Sequence, residues 1–78
     1  MSDEEALDEL GRRIRSQRKS LGLSQEELAL EAGVDRSYYG AVERGERNIT
    51  FLVLCRLAAA LQCDLASLTS GIPDHQGD

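Results

Sequence analysis

The fold of this chain is decided by residues 24–47, SQEELALEAGVDRSYYGAVERGER. Ser24 and Glu27 form the capping-box pattern that begins a helix, and Gly33 is the left-handed residue that ends it. Asp35 then caps a second helix. The apolar stripe of the two helices consists of Leu28, Ala29, Ala32, Tyr39 and Val42. The stretch therefore predicts two short helices joined by a tight turn.

Two interpretations fit this pair of helices. The pair can be a helix-turn-helix, whose second helix lies in the DNA major groove and presents polar and basic residues there. It can also be an ordinary helical hairpin in a small bundle.

The rest of the sequence predicts three further helices and no strand. The first spans about residues 5–20; Thr50 caps the fourth and Asp64 a short fifth. The stripe of the fourth helix consists of Phe51, Leu54, Leu57, Ala58 and Leu61. We predict an all-α, compact five-helix domain.

The 78 residues suffice for one domain with a modest core. We expect this domain over residues 5–71, a flexible acidic N-terminus at residues 1–4 and a flexible tail at residues 72–78. The hydrophobic content of 41% argues against disorder.

The net charge of −5 opposes DNA binding, but the charges are unevenly distributed. Five acids lie within residues 3–9 and five bases within residues 12–19. Salt screens distant charges, so a basic face on an acidic protein can still bind phosphate. The basic run is either such a face or a solvated side of a helix.

Several classes of function are excluded. No apolar run is long enough to span a membrane, and no signal peptide is present, so we expect a cytoplasmic protein. Cys55 and Cys63 would lie about 12 Å apart on one helix, too far for a disulfide, and we expect both to be buried small hydrophobes. No catalytic group, metal site, cofactor or small-molecule ligand is predicted, and so no enzyme.

The chain resembles the phage-repressor and Cro type (XRE-type) of helix-turn-helix protein over about residues 7–71. The resemblance rests on SQEELALEAGVDRSYYGAVERGERN, on the preceding RRIRSQRKSLGLSQ and on the later LCRLAAALQCDLASL. It implies the lambda repressor-like fold and double-stranded DNA as partner. Within this family, VDRSYYGAVERGERN resembles the controller proteins of restriction–modification systems.

Candidate DNA-contacting residues follow from the second helix of the motif. Recognition helices contact base edges mainly through their N-terminal residues, here Arg36, Ser37 and Tyr38. Ala41 can offer only an apolar contact, to a thymine methyl. The alternative for Tyr38 is an amphipathic residue at the edge of the domain.

The resemblance implies further roles. Gln25 would bind a phosphate and brace the recognition helix, and Arg18 would pair with Glu43. The expected contacts to the DNA backbone beyond the helix come from Arg44, Arg47 and Asn48.

Three residues depart from the family pattern. Gln62 replaces a glycine after the fourth helix, so that turn needs another left-handed residue or a different cap. Ile49 stands where proline is common. Gly40 lies inside a helix at a cost of about 1 kcal/mol relative to alanine, and either permits close approach to DNA or is simply tolerated.

The predicted function is a sequence-specific transcription regulator that binds a near-palindromic operator as a homodimer. The predicted dimer contact consists of Leu52, Leu65 and Ile72. A phage-type repressor, an antitoxin-type autorepressor and an interaction domain without DNA binding are the alternatives. The acidic Glu26 and Glu31 either form a contact for RNA polymerase or are merely solvated.

Overall fold

The structure is a computed structural model that describes residues 1–74. Within this range it contains no strand and five helices: α1 (Asp3–Ser20), α2 (Gln25–Ala32), α3 (Arg36–Glu43), α4 (Phe51–Ala60) and α5 (Leu65–Thr69). Helix α1 contacts α3 and α5, α2 contacts α3 and α4, and α4 contacts α5. The predicted all-α, five-helix domain is confirmed. In the part described, no helix is both long and apolar enough to cross a membrane.

Each helix begins at a residue whose side chain accepts a hydrogen bond from the backbone of the first turn: Ser2, Ser24, Asp35, Thr50 and Asp64. The cap at Ser2 corrects the prediction of a flexible segment over residues 1–4. Ser2 Oγ accepts from the Glu5 amide at 3.1 Å, and Glu5 Oε1 accepts from the Ser2 amide at 2.8 Å. This capping box adds Asp3 and Glu4 to the first turn of α1, where acidic side chains are favoured.

The core is built from one stripe of each helix, and its largest fully buried side chains are Tyr39, Ile14, Leu28, Leu57, Leu61 and Leu68. The prediction that Phe51 belongs to this core is wrong, since the residue is 66% exposed. Side chains on a helix lean towards its N-terminus, so a side chain on the first residue of α4 extends past the packed turns. Cys55 and Cys63 are free thiols and are half-buried rather than fully buried.

The turn between α4 and α5 uses Gln62 itself as its left-handed residue, with φ of 57°. The Gln62 amide donates to the carbonyl of Ala59 at 3.1 Å, and the Cys63 amide donates to the carbonyl of Ala58 at 3.0 Å. These bonds satisfy the last carbonyls of α4 in the way a C-terminal glycine usually allows. The helix therefore ends normally, at the conformational cost of a side chain in the left-handed region.

The C-terminal part of the domain is held by α1. Arg13 Nη1 donates to the carbonyl of Leu68 at 3.3 Å and to that of Ser70 at 2.6 Å. Ile72 packs against the core. The predicted boundary at residue 71 is therefore too early, because part of the predicted tail over residues 72–78 contributes to packing. Residues 75–78 of that tail lie outside the described part.

Candidate nucleic-acid interface

Helix α3 has an exposed N-terminal turn on a buried body. Asp35 Oδ2 accepts a hydrogen bond from the Tyr38 amide at 3.1 Å, which starts the helix. Arg36 and Ser37 follow and are exposed, whereas Tyr39 has no exposed surface. Tyr38 is half-buried and packs against the edge of the core. The helix thus presents its first two side chains to solvent while the next turn anchors it.

A buried ion pair joins α3 to α1, at the residues that the resemblance implied. Arg18 Nε donates to Glu43 Oε2 at 2.6 Å, and Arg18 Nη2 donates to Glu43 Oε1 at 3.1 Å. The two side chains are only 9% and 3% exposed. A third donor of the same guanidinium, Nη1, bonds the carbonyl of Leu23 at 2.8 Å. This bidentate geometry fixes the orientation of α3 as well as its distance from α1.

Two further donors complete the shell around the Glu43 carboxylate. Gln25 Nε2 on α2 donates to Glu43 Oε1 at 2.9 Å, and the Tyr39 hydroxyl donates to Glu43 Oε2. Each carboxylate oxygen therefore accepts two hydrogen bonds. Gln25 retains a second amide proton for a partner outside the chain.

The protonation states of this centre follow from its contacts. Burial opposes ionisation of Glu43, but the hydrogen bonds from Arg18, Tyr39 and Gln25 outweigh it and hold the pKa of the carboxyl below its usual value. Burial and the adjacent carboxylate raise the pKa of the Tyr39 hydroxyl, which stays a donor. Three helices therefore meet on one ionised carboxylate.

A close backbone crossing supports the same junction. A Cβ on Gly11 of α1 would lie 2.5 Å from the carbonyl oxygen of Glu43 and 2.6 Å from that of Val42. Both atoms are backbone, so neither can move aside independently. The sequence reasoning missed Gly11; a glycine in the middle of a predicted helix was the available signal.

The outer face of α3 carries Arg36, Gly40 and Arg44, which share one side at four-residue spacing. A Cβ on Gly40 would lie 3.3 Å from Arg44 Nη1, 3.5 Å from Arg36 Nη1 and 3.6 Å from Gln25 Oε1. Two guanidinium ends and an amide thus converge over bare backbone. Arg44 Nε also contacts Glu46 Oε1 at 3.2 Å, with both side chains more than half exposed.

The loop after α3 continues this surface. The Arg47 guanidinium lies over the Tyr38 ring, 5.8 Å from its centroid. Such a cation–π contact holds the arginine beside the N-terminal half of α3. Arg47 and Asn48 are both exposed. Arg47 therefore extends the outer face of α3, whereas Asn48 borders a cavity lined by Asp3, Ala6 and Leu7.

The structure separates the predicted contact residues into two groups. Those that it brings onto one surface around α3 are Arg36, Ser37, Tyr38, Gln25, Arg44 and Arg47. Ala41 is only 6% exposed, so its methyl has little free surface for the predicted base contact in this structure. At four-residue spacing it lies on the same side of α3 as Ser37.

Three of the five bases in residues 12–19, namely Arg12, Arg13 and Arg18, pair with acidic side chains of this chain. Arg12 Nη2 and Arg13 Nε lie 2.5 Å and 2.8 Å from Glu9 Oε2. The hydrogen bonds from Arg12 and Arg13 lower the pKa of the Glu9 carboxyl to about 2. Arg18 is buried with Glu43. Arg15 and Lys19 are exposed, so they are available to a ligand together with the cations around α3. Among residues 1–74 no cluster of metal-ligating side chains occurs.

These features define the class of protein. The family model described as helix-turn-helix matches residues 14–68. The chain belongs to this helix-turn-helix family. The family and the relatives found are transcription regulators, which confirms the prediction of a regulator rather than an enzyme.

Particular relatives are control proteins. The chain is 43% identical over 70 residues to the control protein C.SmaI of Serratia marcescens, covering 87% of this chain and 83% of that protein. The crystal structure of the restriction–modification controller protein C.AhdI from Aeromonas hydrophila aligns with a TM-score of 0.78 and 47% identity, over 80% of this chain and 94% of that one. The tetramer of the controller protein C.Esp1396I in complex with its natural 35 base-pair operator aligns with a TM-score of 0.72 and 30% identity, over 76% of this chain and 78% of that chain. The resemblance to controller proteins is confirmed.

Proposed function

We propose that this protein binds a near-palindromic DNA operator as a homodimer and regulates the transcription of a restriction–modification operon. The observation that carries the proposal is the exposed outer face of α3, which bears Arg36 and Arg44 while its inner face is locked to α1 and α2. Such a helix can enter the major groove without refolding. A regulator of this kind would act in the cytoplasm, where its DNA operator lies.

The base contacts come from the first turn of α3. Arg36 is exposed, and its guanidinium can bond the O6 and N7 atoms of a guanine in bidentate fashion. Ser37 is exposed beside it and can reach either kind of base pair. Tyr38, steadied by Arg47, lines the edge of this surface.

The phosphate contacts flank the base contacts on both sides. Gln25 is the first residue of α2 and can donate its second amide proton to a phosphate while the first bonds Glu43. Arg44 directly follows α3, and Arg47 and Asn48 lie in the loop beyond it, with Arg47 held beside Tyr38; these side chains would bind further phosphates of the DNA backbone. Phosphates on both sides of the groove fix the register in which Arg36 meets a base.

One small domain contacts too few base pairs for specific recognition, and a dimer doubles the length of DNA that is recognised. Leu52 is 69% exposed, and the neighbouring Phe51 is 66% exposed. Leu65 and Ile72 are half-buried and leave part of their surface uncovered. A closed two-fold dimer through these residues would place the two recognition helices about 34 Å apart, one turn of DNA.

The proposal also includes a contact between the exposed surface of α2 and RNA polymerase. Glu26 and Glu31 on α2 are exposed, as is Leu30 at 82%. Acidic side chains around one exposed leucine suit a basic partner surface. Leu30 and Glu31 lie near the C-terminal end of α2, at the opposite end from Gln25 and its proposed phosphate contact.

Selection from a random duplex pool followed by binding across a salt series tests DNA recognition. The selected duplexes should converge on two inverted half-sites whose centres lie about 10 base pairs apart. The binding constant should fall steeply as salt rises, since phosphate contacts release counterions. A pool that shows no enrichment would overturn the proposal.

The dimer is tested with Leu52→Glu and with Leu30→Glu as its matched control. Both residues are exposed leucines on helices, so neither substitution disturbs the core. Leu52→Glu should shift sedimentation towards the monomer and weaken binding to the full site, while circular dichroism stays helical. Leu30→Glu should leave both measurements unchanged. Equal behaviour of the two variants would remove Leu52 from the interface.

A further inference from the structure

Gly40 lacks an internal reason to be glycine. It lies in the middle of α3, where glycine weakens a helix relative to alanine. Its φ is not in the left-handed region, since the left-handed glycines of residues 1–74 are Gly22, Gly33, Gly45 and Gly71. The conformation of residue 40 is therefore open to any L-amino acid.

The space beside Gly40 is also not needed by the fold. A Cβ there would meet only the far ends of Arg44, Arg36 and Gln25, at 3.3–3.6 Å, and flexible side chains can shift by the few tenths of an ångström required. Gly11 differs, because its Cβ would meet backbone oxygen at 2.5 Å. The protein alone therefore explains Gly11 but not Gly40.

The position of Gly40 indicates that a binding partner, rather than the fold, requires glycine there. The residue lies midway between Arg36 and Arg44 on the outer face of α3, one helical turn from each. The two guanidinium ends cover it in the free protein. When the two arginine side chains extend towards acceptors on DNA, they uncover the backbone at residue 40, which then faces the DNA between them.

We propose that Gly40 is a specificity-determining residue, the point at which the backbone of α3 approaches the edges of the DNA bases most closely. This inference rests on the proposed DNA-binding function and assigns a role to one residue of that site. A side chain at position 40 would hold the helix away from the groove floor. The contacts of Arg36 and Ser37 with base edges need a fixed geometry and would then be lost, whereas Arg44 and Arg47 could still bind phosphates.

The test compares wild type with Gly40→Ala on the duplex that wild type selects from a random pool and on a scrambled duplex of equal length. Gly40→Ala should raise the melting midpoint by roughly 4–8 °C, because alanine favours the helix. It should weaken binding to the selected duplex by about tenfold or more, the effect of an inserted methyl in a close-packed contact. Binding to the scrambled duplex should change by less than about twofold, because phosphate contacts dominate it.

Gly40→Ser and Ala59→Ser complete the design. Gly40→Ser adds the same Cβ and should lose affinity for the selected duplex to at least the same degree. Ala59 is an exposed residue on α4, and Ala59→Ser should leave DNA binding unchanged.

Each outcome decides the matter. A more stable Gly40→Ala protein that discriminates poorly between the duplexes supports the proposal. Unchanged or tighter binding to the selected duplex overturns it, and so does a lower melting midpoint, which would show that the fold itself requires glycine. If wild type enriches no sequence, the proposed function fails and the role of Gly40 fails with it.

Discussion

The two faces of helix α3 differ in how firmly their side chains are held by the rest of the protein. The inner face meets α1 through a backbone crossing at Gly11 and through an ion pair that is almost wholly buried, Arg18 with Glu43. The outer face carries Arg36 and Arg44, whose guanidinium ends lie loosely over Gly40. On the inner face each oxygen of the Glu43 carboxylate accepts two hydrogen bonds, whereas the outer face has the exposed contact of Arg44 with Glu46.

The difference shows how a helix of only eight residues can be both firmly held and available. A helix this short is unstable alone, so its order must come from packing. Concentrating the fixed contacts on one side leaves the other side free of structural duties. Substitutions on the inner face should therefore change folding, and those on the outer face should change DNA binding.

Glu43→Ala should have the largest effect on folding. It leaves the Arg18 guanidinium buried without its carboxylate, which costs about 3–5 kcal/mol in the free energy of unfolding. The matched control is Glu46→Ala, which removes an exposed partner of Arg44 and should cost less than about 1 kcal/mol. Urea unfolding measures both, and similar midpoints for the two variants would contradict a locked inner face.

Acid should break the same junction without a mutation. The pKa of Glu43 is lower in the folded protein than its usual 4.5, so ionised Glu43 stabilises the fold above that pH. This contribution is lost as pH falls below 4.5 towards the folded-state pKa. Urea midpoints of wild type should therefore decline on acidification more steeply than those of Glu43→Gln. If the urea midpoints of the two proteins declined in parallel, a group other than Glu43 would control the loss of stability at low pH.

Gly11→Ala should be the next most severe change. The methyl group would overlap the carbonyl oxygens of Val42 and Glu43, and α1 would have to move away from α3. We expect a loss of about 2–3 kcal/mol, despite the better helix propensity of alanine. Thermal melting checks this, and a midpoint at or above that of wild type would show that the crossing can widen freely.

Arg36→Ala should leave folding alone and change recognition. Stability should stay within about 0.5 kcal/mol of wild type because the residue is exposed. Binding to the selected operator should weaken by about 1–3 kcal/mol, with relaxed preference at one base pair. Arg47→Ala is the comparison: it should weaken selected and scrambled duplexes alike and reduce the salt slope by about one. Equal losses on both duplexes for Arg36→Ala would make that residue a phosphate contact.

Gln62→Gly should have the smallest effect and the opposite sign. It removes a side chain from the left-handed region and should stabilise the protein by about 0.5–1 kcal/mol. Gln62→Ala retains a Cβ and should give no gain. The turn lies outside both faces of α3, so DNA binding by Gln62→Gly should match wild type. A fall in affinity would connect α4 and α5 to the interface.

The sequence predicted this fold well because local signals mark almost every boundary. Four of the helices have the N-caps that the sequence predicted, which are Ser24, Asp35, Thr50 and Asp64. The first helix begins earlier than predicted because the cap at Ser2 was not recognised. A helix cap depends on residues that are close in sequence, so it can be predicted from the amino-acid sequence alone.

The candidate site was less accessible to sequence reasoning. The burial of Ala41 depends on the exact packing of α3, and Gly11 owes its importance to a residue 32 positions away. The dual contact of Arg13 with the end of α5 was hidden for the same reason. Tertiary neighbours, rather than spacing, decide these roles.

The hydrogen bonds from Arg13 to the carbonyls of Leu68 and Ser70 make the proposed pairing surface depend on α1. Helix α5 has five residues and is too short to be stable alone, and α1 supports it through these bonds. Leu65 lies on α5, so a change in α1 that releases Arg13 would also disturb the surface at which we propose that two copies pair.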